Sequence, residues 1–90
     1  MGQVAETIER KLREAFAPEA LEVVDESDRH AGHAGARPGG ETHFHVAITA
    51  AAFQSLSRLE RQRSVNATLR AELAGPVHAL SVRARAPGEP

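Results

Sequence analysis

Apolar residues recur every four positions at the start of the chain. Val4, Ile8 and Leu12, with Ala5, Ala15 and Phe16 beside them, make one stripe of an amphipathic helix. Glu6 with Arg10 and Glu9 with Arg13 stand four apart on its polar side in the favourable order. Pro18 ends it, because the residue before a proline is pushed out of helical geometry. Residues 21–26, with Val23 and Val24, read as a short strand. The pattern then breaks: residues 28–42 are rich in Ala, Gly, His, Arg and Pro, lack periodicity, and include the turn sequence Arg37-Pro38-Gly39-Gly40.

Strict alternation returns at residues 43–49. Phe44, Val46 and Ile48 face one way and His43, His45, Ala47 and Thr49 the other, which predicts a half-buried strand. Residues 50–56 predict a short helical turn with Phe53 in the core. Ser57-Arg58-Leu59-Glu60 is a capping box. It opens a helix predicted to run to about residue 73, with Leu59, Val65, Leu69 and Leu73 as core candidates, closed by Gly75 and Pro76. Residues 77–85 predict a last strand, with His78, Leu80, Val82 and Ala84 on one face and Ser81, Arg83 and Arg85 on the other. The order predicts an α/β (α+β) fold, α-β-β-α-α-β, with a three-stranded sheet and helices packed on one face. One domain is expected over residues 1–86, with residues 87–90 a disordered tail.

Composition narrows the chemistry. The 90 residues contain no cysteine, which removes disulfides, thiol nucleophiles and all-thiolate metal cages. The start of the chain carries Glu6 and Glu9 and no apolar segment, so neither a signal peptide nor a membrane span is expected, and a cytoplasmic location is. The net charge of −1 argues against strong general binding to nucleic acid, yet it is uneven: −4 over residues 1–57 and +3 over residues 58–90. The serines lack a nucleophile elbow, and neither a P-loop nor a dinucleotide fingerprint occurs. Asp25-Glu26-Ser27-Asp28 lacks EF-hand spacing and reads as solvating a strand end. No enzyme and no small-molecule substrate are expected.

Histidine is the side chain left for metal chemistry. His30 and His33 lie in the Gly/Ala-rich segment, where little bulk would hinder a ligand; as loop residues they read equally as polar surface. His43-x-His45 puts two rings on one strand face, suitable for a metal or simply solvated. His78, in register with Leu80 and Val82, should be at least partly buried, either as a core histidine bonded to backbone or as a ligand at the sheet edge. Arg58, Arg61, Arg63 and Arg70 lie on the long helix, where exposed guanidinium groups could meet phosphates or serve as a solvated face. Phe16, Phe44 and Phe53 are all core candidates, so platforms for stacking single-stranded bases are missing.

Several blocks taken together resemble the BolA family: Asp25-Glu26-Ser27, His30-Ala31-Gly32-His33, Glu41-Thr42-His43-Phe44, Phe53, Arg61-x-Arg63 with Val65, and Glu72-Leu73 followed by Val77-His78-Ala79-Leu80. The resemblance covers nearly the whole chain. It implies a class II KH-like fold and a monothiol glutaredoxin as heterodimer partner, the two proteins sharing a bridged [2Fe-2S] cluster in iron–sulfur assembly, trafficking or iron regulation. The metal ligands it implies on this chain are His33, with His30 as the alternative, and His78. No cofactor is expected in the isolated chain. Imidazole in place of thiolate removes negative charge from an iron and raises its potential, as in Rieske centres. The alternative it implies is a DNA-binding transcriptional regulator reading duplex DNA through Arg58, Arg61, Arg63, Arg83 and Arg85. The chain departs from its relatives at Gln62, where many carry His, and at Ser55, where Gly is usual. The Gly-x-x-Gly clamp of true KH domains is replaced by Gln54-Ser55-Leu56-Ser57.

Overall fold

The computed structural model describes residues 2–27 and 40–90. In chain order these form α1 (Gln3–Phe16), β1 (Ala20–Asp25), β2 (His43–Thr49), a 3-10 turn (Ala51–Phe53), α2 (Arg58–Thr68), α3 (Arg70–Ala74) and β3 (Ala79–Arg85). The α+β architecture is the expected one. The sheet has the order β1-β2-β3 and is mixed: β1 and β2 are antiparallel, β2 and β3 parallel. A parallel pair needs a crossover connection, and the 3-10 turn, α2 and α3 supply it.

β2 occupies the centre because its alternation suits a strand with one face buried. Phe44, Val46 and Ile48 are buried, while His45, Ala47 and Thr49 are half-buried on the opposite face. Ile8 and Leu12 from α1, Val65 and Leu69 from the crossover, and Phe53 complete the core. Full burial of such side chains contributes about 1.5–3 kcal/mol each. Phe53 stacks at a tilt on Phe16, ring centroids 4.9 Å apart.

Local chemistry sets the element ends. Ala17 adopts a left-handed conformation and, with Pro18 after it, stops α1. The capping box is formed in both directions: Ser57 Oγ accepts from the Glu60 amide at 3.1 Å, and Glu60 Oε1 accepts from the Ser57 amide at 2.7 Å. The expected long helix is divided at Leu69, which leaves helical geometry (φ −103°, ψ 22°). Thr68 Oγ1 donates back to the Ser64 carbonyl at 2.9 Å, a bond that bends helices. Leu59, expected in the core, is 57% exposed. Six residues before Val65, it falls about 240° round the helix from the buried stripe. Leu73 is half-buried against the core, as is Leu80.

Two ionic contacts tie distant parts together. Lys11 Nζ of α1 donates to both carboxylate oxygens of Glu72 of α3, at 3.0 and 2.8 Å, with Glu72 buried. Arg61 Nη1 and Nη2 grip the Glu89 carboxylate at 2.6 and 3.0 Å. Glu89 reaches it because residues 86–89 turn back, the Glu89 amide bonding to the Ala86 carbonyl. Pro87 stands second in that turn and Gly88 third, with φ +85°, the pattern of a type II turn. Residues 87–90, expected to be a disordered tail, thus hold one of the chain's bidentate ion pairs.

Candidate functional site

One end of the sheet gathers the residues that the sequence motifs single out. Ser27, just after β1, is buried, and its Oγ accepts from the amides of Thr42 and His43 at 2.9 and 3.2 Å and from the Thr42 hydroxyl at 3.3 Å. Asp25 binds the same place from the other side: Oδ1 accepts from the Ser27 amide at 2.9 Å and Oδ2 from the Glu41 amide at 3.1 Å. Desolvation pushes the Asp25 carboxyl up. The Ser27 hydroxyl and amide, the Glu41 amide and nearby His43 together outweigh that and hold it below its ordinary value.

Gly40 and Glu41 re-enter the fold with φ +74° and +63°. The second is unusual for a residue with a side chain. It places the Glu41 carboxylate at the start of α1, where Oε2 accepts from the Ala5 amide at 3.1 Å. The N-cap residue Gly2 offers no side chain of its own for capping, and a Cβ there would collide with Glu41. Glu41 therefore serves as a remote cap at the positive end of α1.

This framework positions two histidines. The Thr42 carbonyl accepts from the amides of both His78 and Ala79, at 2.7 and 3.1 Å, which joins the start of β3 to β2. His43 is buried, its Nδ1 2.9 Å from the Thr42 hydroxyl. Its ring lies against that of His78, centroids 5.3 Å apart. His78 itself is exposed, against the expectation of partial burial. The cause is that β3 begins at Ala79, so the inward alternation of Leu80 and Val82 does not reach back to it. His43, read as a solvated-face candidate, is the buried partner. His45 is held by Ser81 across the sheet, Nδ1 to Oγ at 2.7 Å. Beside the pair is a shallow cavity of about 240 Å³ whose lining includes Glu26, His43, Phe44 and Ser81.

His30 and His33 lie outside the described residues. Their segment leaves at Ser27 and returns at Gly40, and a Cβ on Gly40 would lie 3.6 Å from Ser27 Oγ, so both its ends are fixed beside this framework. Among the described residues, no three His, Cys, Asp or Glu groups are placed to hold a metal ion together. The helix and strand arginines divide. Arg61 is committed to Glu89, to the Leu56 carbonyl at 3.0 Å and to the Ala84 carbonyl at 3.3 Å, leaving its side chain 11% exposed. Arg58, Arg63 and Arg83 are exposed and Arg85 is half-buried. Glu89 stands in no sequence motif of the site; Pro87-Gly88 before it is the turn signal that points to it. Ser27 and Thr42 are visible in the sequence as members of motif blocks, without a sign of their bonding roles.

Among the described residues, no helix is long and apolar enough to cross a membrane. A family model described as "BolA-like protein" matches residues 12–89. The chain is 48% identical over 89 residues to BolA-like protein 1 of Homo sapiens, covering 99% of this chain but 62% of that protein. It is 40% identical over 79 residues to the "DNA-binding transcriptional regulator BolA" of Vibrio cholerae, covering 88% of this chain and 71% of that one. In structure it is similar to the BolA domain of SufE1 from Arabidopsis thaliana, with a TM-score of 0.90, 40% identity and coverage of 100% and 99% of the two chains. Order of elements, motif framework and sequence agree, and the chain belongs to the BolA-like protein family.

Proposed function

We propose that this chain is a non-enzymatic partner of a monothiol glutaredoxin and shares a bridged [2Fe-2S] cluster with it. The observation that carries this reading is the exposed imidazole of His78, held by backbone bonds next to the anchored ends of the segment that contains His30 and His33. A chain without cysteine offers such a cluster only part of its ligands, and His78 with a loop histidine is a donor set of that kind. His78 and His33, or His30, would bind on this side, and sulfur ligands would come from the partner. The cluster, when bound, supplies one-electron redox chemistry and transferable iron and sulfide. This chain's work is positioning. Thr42 fixes the main chain at His78, buried His43 backs its ring, and Ser27 with Asp25 holds the place where the segment with His30 and His33 departs.

The test is a titration of the protein into cluster-loaded monothiol glutaredoxin, read by visible circular dichroism and by size. A changed spectrum at one-to-one stoichiometry with a heterodimer is the expected result. An unchanged glutaredoxin spectrum with no complex would overturn the reading.

A second reading, duplex DNA binding, is favoured by the exposed Arg58, Arg63 and Arg83 and by the name of the Vibrio cholerae relative. It predicts affinity that falls steeply with salt and with Arg63→Ala. Arg61, already paired within the chain, is the weakest of its five proposed contacts.

A further inference from the structure

The far end of β3 carries a feature separate from the histidine pair. Arg58 and Arg61 of α2, Arg83 and Arg85 of β3 and Glu89 all belong to the lining of a cavity of about 330 Å³. We propose that this pocket is a binding site for a small phosphorylated ligand, in which the Glu89 carboxylate is a resident stand-in for the phosphate.

Four arginine residues line the pocket, and among the described residues the ion pair seen there is that of Arg61 with Glu89. Arg58, Arg83 and Arg85 form no salt bridge among the described residues. The one occupied arginine shows the recognition chemistry of the site: Arg61 presents two N–H groups in a fork to two oxygens of a planar anion. That geometry suits phosphate as well as carboxylate, and a phosphate or diphosphate brings more charge for the remaining arginines. The volume lies at the lower end of the range for small-molecule sites.

The tenant is also replaceable. Glu89 is placed by a single turn through Pro87 and Gly88, with one further bond from the Ala86 amide to its carboxylate at 2.9 Å, and its side chain is 40% exposed. If it leaves, Arg61 keeps its bonds to the Leu56 and Ala84 carbonyls and stays aimed into the pocket. A small ligand is favoured over a nucleic-acid backbone because Arg61 is 11% exposed, so only a group that enters the cavity reaches it. His78 lies at the opposite end of the seven-residue β3, about 20 Å away at strand spacing. The two sites therefore stand or fall separately.

The experiment is a titration of the full chain with inorganic pyrophosphate, followed by NMR of the arginine side-chain N–H signals. Wild type, Glu89→Gln, Glu89→Ala and Arg83→Ala/Arg85→Ala in the Glu89→Gln background are compared, with backbone amide spectra confirming each fold. Saturable one-to-one binding that shifts the Arg61 and Arg85 signals is expected. Affinity should rise about tenfold on removing the Glu89 charge, as it does when a competitor filling nine-tenths of a site is lost. It should fall back by a similar factor without Arg83 and Arg85. Equal affinity for wild type and both Glu89 variants would overturn the proposal, as would shifts spread evenly over Arg10, Arg13 and the pocket arginines. So would saturable binding of a 20-base-pair duplex in the absence of any for pyrophosphate, which would make the surface a nucleic-acid site.

Discussion

The imidazoles of His43 and His78 lie with ring centroids 5.3 Å apart and planes inclined at 52°, one buried and the other exposed. This asymmetry assigns them different work. His78→Ala removes an exposed side chain and should change stability by no more than about 0.5 kcal/mol. In the proposed complex with a glutaredoxin it should nonetheless alter the visible spectrum. His43→Ala removes a buried, hydrogen-bonded ring and should cost about 1–3 kcal/mol. Urea denaturation of the two variants separates the roles: a large loss for His78→Ala would make it a structural residue, and an unchanged spectrum in the complex would remove it from the ligand set.

Ser27 is the hinge of the motif framework. Ser27→Ala leaves the Thr42 and His43 amides without their acceptor in a buried place. The expected loss is about 2 kcal/mol, a drop in Tm on the order of 10 °C for a domain this small. A drop of only a degree or two would mean that neighbouring groups take over its bonds.

Lys11 and Glu72 couple α1 to α3 across 61 positions of sequence. Because Glu72 is buried, its removal and that of Lys11 should not be additive. A double-mutant cycle with Lys11→Met and Glu72→Gln should give a coupling energy of about 1–2 kcal/mol, more than a surface pair supplies. Coupling near zero would make the contact incidental.

Arg61 and the Ala86 amide hold the Glu89 carboxyl down to about 2 from an ordinary 4.5. A group whose pKa is lower in the folded state stabilises fully above its unfolded value, and that support disappears as pH falls through the folded one. The advantage of wild type over Glu89→Gln should therefore be whole above about pH 4.5 and shrink steadily toward pH 2. Denaturation curves of the two proteins between pH 7 and 2 check this; a constant difference would show that the pair does not titrate with folding.

Short-range chemistry made much of the fold readable. The four-residue stripe of Val4, Ile8 and Leu12, the alternation around Phe44, Val46 and Ile48, and the Ser57–Glu60 box each involve neighbours on one helix or strand, and each appears as expected. A periodic pattern does not fix where it starts, and single positions near a boundary depend on that start. Leu59 sits outside the stripe that Val65 and Leu69 define, and His78 lies one residue outside the strand whose alternation Leu80 and Val82 follow.

The sequence by itself determined the element order, the exclusion of thiol chemistry and the motif blocks that mark the family. Tertiary structure decided what those blocks do. Ser27, Glu41, Thr42 and His78 meet only because β1 ends, and β2 and β3 begin, at the same end of the sheet, and nothing within any one segment encodes that contact. The same holds for Arg61 and Glu89, 28 positions apart. Helical and strand periodicity report which face of a segment avoids water. Hydrogen bonds and ion pairs between distant segments depend on distances that exist only after the core formed by those faces has closed.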